Sequence, residues 1–145
     1  MHWRNLALGL TICSALACAA DNCPVTKSPD FAFAPPSPYP EAKGKSFYVG
    51  TANLWVLVYP SPWRGLPYWP EGYRQKIVWW SEGCRAKTDP LPAIVIGGRR
   101  LDGNAPPLVV TGANGSRTTV GFIMSGVNFP TSGCWEITGR FKARS

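Results

Sequence analysis

Five carboxylates in the body of the chain, Glu71, Glu82, Asp89, Asp102 and Glu136, are the groups whose type alone would permit hydrolysis of a sugar polymer. That chemistry needs two of them side by side, one held protonated as acid and the other ionised as base or nucleophile. Four of the five fall in turn-like sequence and Glu136 falls on the outer side of an alternating strand. The pattern describes solvated charges rather than a working pair. Imidazole chemistry is excluded on other grounds, because the single histidine, His2, lies in a predicted leader. Without it, Ser-His-Asp and Cys-His nucleophiles lack their base and histidine zinc sites lack a ligand. Cys23, Cys84 and Cys134 show no Cys-x-x-Cys spacing, which argues against thiolate metal sites and thioredoxin-like redox chemistry. Gly97-Gly98 precedes no helix and is no phosphate loop. Neither a cofactor nor a metal is expected.

Binding is better represented than catalysis. Pro60 to Tyr73 is long, stiffened by Pro60, Pro62, Pro67 and Pro70, and heavily aromatic. Trp63, Arg64, Tyr68, Trp69 and Tyr73 are the candidate ligand-binding residues, with Arg74 and Lys76 close behind. Such rings stack on sugars or anchor a protein interface, and proline stiffening lowers the ordering cost of binding. A loop this rich in Trp and Tyr also serves as a lid folded over a core. Both readings stand at this point.

The elements before this loop place it outside the cytoplasm. Residues 1–20 read as an export signal, with Arg4 as the basic region, Leu6 to Ala17 as the apolar region and small residues after it. Ordinary cleavage after Ala19 or Ala20 competes with a lipoprotein box ending at an acylated Cys18. Residues 21–45 are a proline-rich tether that would hold a domain off a membrane. Removal of Arg4 with the leader lowers the net charge of +7 to +6. The remaining basic residues are scattered, so nucleic acid is not an expected partner, and anionic envelope polymers are. An exported chain permits disulfides. Cys84 with Cys134 is the predicted bridge, since both sit at strand ends while Cys23 lies in the tether; three unbridged thiols are the alternative.

Residues 46–145 read as all-β. Strands are predicted over Ser46 to Val49, Leu54 to Tyr59, Arg74 to Trp80, Ala93 to Ile96, Leu108 to Thr111 and Thr119 to Met124, with a bulge at Gly97-Gly98, a turn at Arg99 to Gly103 and a link at Gly112 to Gly115. In the last strand, period-two alternation puts Gly133, Trp135, Ile137 and Gly139 on a buried face and Cys134, Glu136, Thr138 and Arg140 on a wet one. About seven short strands at these spacings fit an antiparallel, immunoglobulin-like sandwich. Trp79 and Trp80 must then face opposite sides, one toward the core and the other available to the aromatic loop.

Two resemblances follow from these residues. Thr131-Ser-Gly-Cys-Trp135-Glu-Ile137 resembles the corner of immunoglobulin-type domains, with Trp135 in place of the corner Tyr, Thr131 in place of the Asp and Ile137 in place of the second core Cys. Phe47-Tyr-Val-Gly50, Trp63-Arg-Gly-Leu66, Gly72-Tyr-Arg-Gln-Lys76, Gly98-Arg-Arg-Leu-Asp102, Ala105-Pro-Pro-Leu108 and Phe129 to Arg140 resemble a family of uncharacterised exported bacterial proteins, many with lipoprotein leaders. The likeness implies an envelope location and confers no activity. The expected function is a non-catalytic exported domain that binds an envelope protein or a cell-wall glycan through its aromatic loop. A structural or assembly accessory without a small ligand is the alternative, and a carboxylate-dependent wall-sugar hydrolase trails both.

Overall fold

Strand β7 (Phe122–Phe129) carries the core, because its alternation sends Ile123, Ser125, Val127 and Phe129 to one side of a sheet and Phe122, Met124, Gly126 and Asn128 to the other. In the computed structural model, which describes residues 23–31, 33–36, 42–51, 53–88, 91–117 and 121–142, Ile123 and Val127 are completely buried. The predicted leader (residues 1–20), its candidate lipidation site Cys18, and Asp89 lie outside the described residues.

β7 lies between β4 (Gly72–Trp80) and β6 (Val109–Gly115). The order β1-β2-β4-β7-β6, with β1 (Phe47–Thr51) and β2 (Leu54–Val58) completing the path and the two-residue β3 (Tyr68–Trp69) paired to β4, makes a six-stranded antiparallel sheet. A second sheet contains β5 (Ile94–Arg100) and β8 (Trp135–Phe141), also antiparallel. The described residues are therefore all-β, and the two sheets pack as a sandwich.

Their contact shows why the glycines of β5 and β8 matter. A Cβ on Gly139 would lie 2.5 Å from Cζ3 of Trp79, so the indole of β4 rests directly on the backbone of β8. Gly98 similarly admits the Leu108 side chain against β5. Trp79 is 3% exposed, and its Nε1 donates to Ser125 Oγ at 2.8 Å. Leu54, Ile77, Cys84, Ala86 and Phe129 share this core, with Trp135, Ile137 and Phe141 packed against it from β8. The inward face predicted for Trp135 and Ile137 is thus observed. The Trp135 indole N–H donates to the Thr131 carbonyl at 3.0 Å, which ties the start of β8 to the turn before it.

Several local expectations are corrected. The disulfide joins Cys23 to Cys134, not Cys84 to Cys134. Cys84 is buried in the core beside Gly115 and takes no part in the bridge. Cys134, assigned to the wet face, is buried because it is the residue that receives Cys23. Gly97-Gly98 makes no bulge: β5 runs in unbroken register with β8 from Ile94↔Phe141 to Arg100↔Trp135, absorbing Arg99 and Arg100 from the predicted turn. The irregularity falls instead in β6, between Val110 and Ala113, where Gly112 has φ +106° and the expected link at 112–115 continues as strand.

Besides Cys23, Phe33 of the predicted tether is attached to the domain. Phe33 forms an isolated antiparallel bridge with Tyr48 of the edge strand β1. Its ring stacks on Trp55 at 3.9 Å, with 8° between planes, and meets Trp80 at 5.3 Å. Phe33 therefore plugs the outer face of the six-stranded sheet. Trp80, which could have met the aromatic loop, lies against this plug instead. Tyr48 is almost wholly buried there, and burial first, then the neighbouring Tyr59, pushes its phenol pKa up.

Candidate functional site

The aromatic loop is positioned by a hairpin that the sequence hides. Gly72 turns the chain with φ +119° at a point where a Cβ would collide with the Phe129 carbonyl, and this lets β3 fold back onto β4. Tyr68 then pairs with Tyr73 and Trp69 with Gly72, while the Arg74 N–H donates to the Pro67 carbonyl at 2.9 Å. Because neighbouring strand residues point to opposite faces, the five candidate residues separate.

On the inner side, Tyr68 meets Tyr73 edge-on at 5.0 Å and Trp63 meets Phe129 at 5.6 Å. Tyr73 is half-buried against the core. Tyr68 and Trp63 are 67% and 38% exposed. On the outer side, Trp69 is 46% exposed and carries the Arg74 guanidinium 4.4 Å above its ring. That guanidinium is steered by three groups: Nε donates to Asn128 Oδ1 at 2.9 Å, Glu71 stands 3.9 Å from Nη2, and the Trp69 face attracts it. Arg64 is exposed. The loop is therefore two partial surfaces sharing a rigid hairpin: Trp63, Tyr68 and Tyr73 on one side, Trp69 with Arg74 on the other. The buried Asn128 holds Arg74 in this second surface, and only the cross-strand register of β4 and β7 reveals that role.

Among the described residues the carboxylates do not form an acid/base pair around it. Glu71 faces Arg74, Glu136 accepts from Arg99 Nε at 2.6 Å across β5 and β8, and Asp102 accepts from Arg100 Nε at 2.7 Å. Glu82 is exposed in the turn after β4, its carbonyl accepting from Arg85. Arg100 is held by a second group as well, since its Nη1 donates to Thr131 Oγ1 at 3.3 Å. Gly133, with φ +145°, makes this possible; a Cβ there would stand 2.6 Å from Arg100 Nε. The Arg100 guanidinium, and after it the Cys134 N–H, hold the Asp102 carboxyl below its ordinary range. A general acid requires the opposite shift.

Asp102 instead ties the end of β5 to the corner that carries Cys134. A carboxylate with a lowered native pKa contributes stability above its unfolded value, which is near 3.8, and loses that contribution as pH falls through the native value. Asp102→Asn is expected to lower the melting temperature modestly at pH 7. The difference from the parent should close as the pH is taken below about 3.8. A gap of the same size at pH 7 and pH 2.5 would contradict the ion pair.

Among the described residues no group of three or more His, Cys, Asp or Glu side chains could hold a metal. No family model, no curated protein and no solved structure matches the chain.

Proposed function

We propose that this chain is a non-catalytic, exported domain of the cell envelope that binds a wall glycan or an envelope protein through its aromatic loop. The observation that carries the reading is the exposure of Trp63, Tyr68 and Trp69 on a hairpin whose underside is fixed by Tyr73 and Phe129. A lid would bury those rings; here the buried indoles are Trp79 and Trp80, and the loop rings remain outside. Rings held in place before binding lose little entropy when a ligand arrives. A glycan suits the arrangement better than a protein, because the rings divide between two sides of a hairpin, whereas protein hot spots gather at the centre of one patch.

Export is supported by the Cys23–Cys134 bridge, since such bonds persist in oxidising compartments. An acyl chain on Cys18 would leave residues 19–22 as the only spacer to the bridged Cys23, so the domain would sit close against its membrane rather than at the end of a long tether. The arrangement of Glu71, Asp102 and Glu136 with separate arginines supports binding over hydrolysis.

Titration with fragmented wall polysaccharide, followed by tryptophan fluorescence, tests the reading. Saturable quenching is expected, and Trp69→Ala or Tyr68→Ala should each weaken the affinity by about tenfold, the effect of about 1.4 kcal/mol. Unchanged fluorescence and no heat in calorimetry at high polysaccharide concentration would refute it.

A further inference from the structure

The outer face of the six-stranded sheet changes character along its length. At one end Phe33 covers Trp55 and Trp80; at the other, alternation brings Arg74 and Lys76 of β4 opposite Asn128 and Gly126 of β7. Residues two apart on a strand are separated by roughly 7 Å, so the two cations line one short row. Gly126 leaves the floor beside Lys76 without a side chain. The Thr111 hydroxyl, brought there by the irregularity in β6, stands where a Cβ on Gly126 would be. Trp69 borders the row on the loop side.

Resting on the reading of the loop as a glycan-binding surface, we propose that this row is a subsite for an acidic sugar, one whose ring lies against Trp69 and whose carboxylate is taken by Arg74 and Lys76. Three features point to an anion. Arg74 presents a planar fork that matches a carboxylate in two-point fashion, and its orientation is already set by Asn128 and Trp69. Lys76 is exposed and adds a second charge on the same face, while Glu71 of the loop turn stands 3.9 Å from Arg74 Nη2. Asn128 is wholly buried, spends its Oδ1 on Arg74, and its Nδ2 has no hydrogen-bond partner among the described residues. An unmatched buried donor is costly, and a ligand oxygen entering between Arg74 and Gly126 would relieve it. The Trp69 ring, 46% exposed, supplies what a bare anion site lacks, an amphipathic surface for the apolar side of a sugar.

The test uses the full processed domain with a galacturonic acid oligomer, the neutral galactose oligomer of equal length, and inorganic phosphate. The uronate is expected to bind at least tenfold more tightly than the neutral oligomer at low salt, with the advantage shrinking as salt rises. Lys76→Gln, at an exposed position, should cost three- to tenfold for the uronate alone and leave the melting temperature unchanged. Arg74→Gln should cost more for the uronate, and Trp69→Ala should weaken both oligomers. Equal affinity for the two oligomers, both sensitive to Trp69→Ala, would overturn the acidic subsite and leave the glycan-binding reading standing. Phosphate competing as effectively as the uronate would overturn the sugar part of the assignment. Binding of neither oligomer would remove the acidic subsite, and absence of wall-polysaccharide binding as well would remove the broader reading with it.

Discussion

Replacing Trp79 by alanine is expected to destabilise the domain by about 3–5 kcal/mol, the range for truncating a large buried aromatic. The indole is 3% exposed and sits where the sheets meet, with Val56 and Ile123 as its cross-strand neighbours. Its far edge rests on Gly139, which the Leu54 side chain also approaches. Nothing on β8 can fill the resulting space, because the residue facing it is a glycine. The loss has a polar part as well, since Ser125, 1% exposed, receives the indole N–H. Trp79→Phe separates the two parts: it restores most of the volume and leaves the hydroxyl without that donor, at an expected cost of about 1–3 kcal/mol. Adding Ser125→Ala to Trp79→Phe should recover part of that cost. Urea denaturation with a common slope measures all three variants. A Trp79→Ala midpoint corresponding to less than about 1 kcal/mol would mean that the sandwich does not depend on this contact.

How much of this could be read before the structure depends on whether the signal was local. The alternation of Trp135, Ile137 and Gly139 reports a face of β8, and that face is where it was expected. The opposed directions of Trp79 and Trp80 follow from the strand period alone, and they hold. Choosing which of the two entered the sandwich was beyond local pattern, because it depends on the glycine placed across from Trp79 by a sheet 60 residues away in sequence. The aromatic loop was recognisable by composition. Its division into two surfaces was not, since a two-residue strand between prolines carries no periodicity and Gly72 reads as an ordinary turn residue. Asn128 likewise looks like any polar strand residue until register sets it opposite Arg74. The proline-rich segment misled most: its composition suggests a free spacer, and one phenylalanine gives no hint of a slot between Trp55 and Trp80. Disulfide connectivity has no local signature at all.

Removing the bridge by Cys23→Ser is expected to produce the other large loss. The bond joins positions 111 residues apart, which is nearly the whole described chain. In the chain-entropy account, closing a loop of that size restricts the unfolded state by about 5 kcal/mol, and measured effects run from about 2 to 4. Cys134→Ser should cost the same as Cys23→Ser, and the double variant no more, because both remove one bond. The native side of the equilibrium also changes. Cys23 is ten positions before Phe33, so cutting the bridge leaves the plug held by one isolated strand bridge and its ring contacts. Fraying there would wet Trp55 and Trp80, and the tryptophan emission of the reduced protein should shift to the red before global unfolding. Phe33→Ala in the oxidised protein should reproduce that shift with a smaller loss of stability, which separates the plug from the covalent strap. Cys84→Ser is the control: it removes a buried thiol without touching the bond, so the non-reduced peptide map must still show Cys23 linked to Cys134. A map linking Cys84 to Cys134, or a Cys23→Ser variant as stable as its parent under oxidising conditions, would mean that the N-terminal segment is no part of the folded unit.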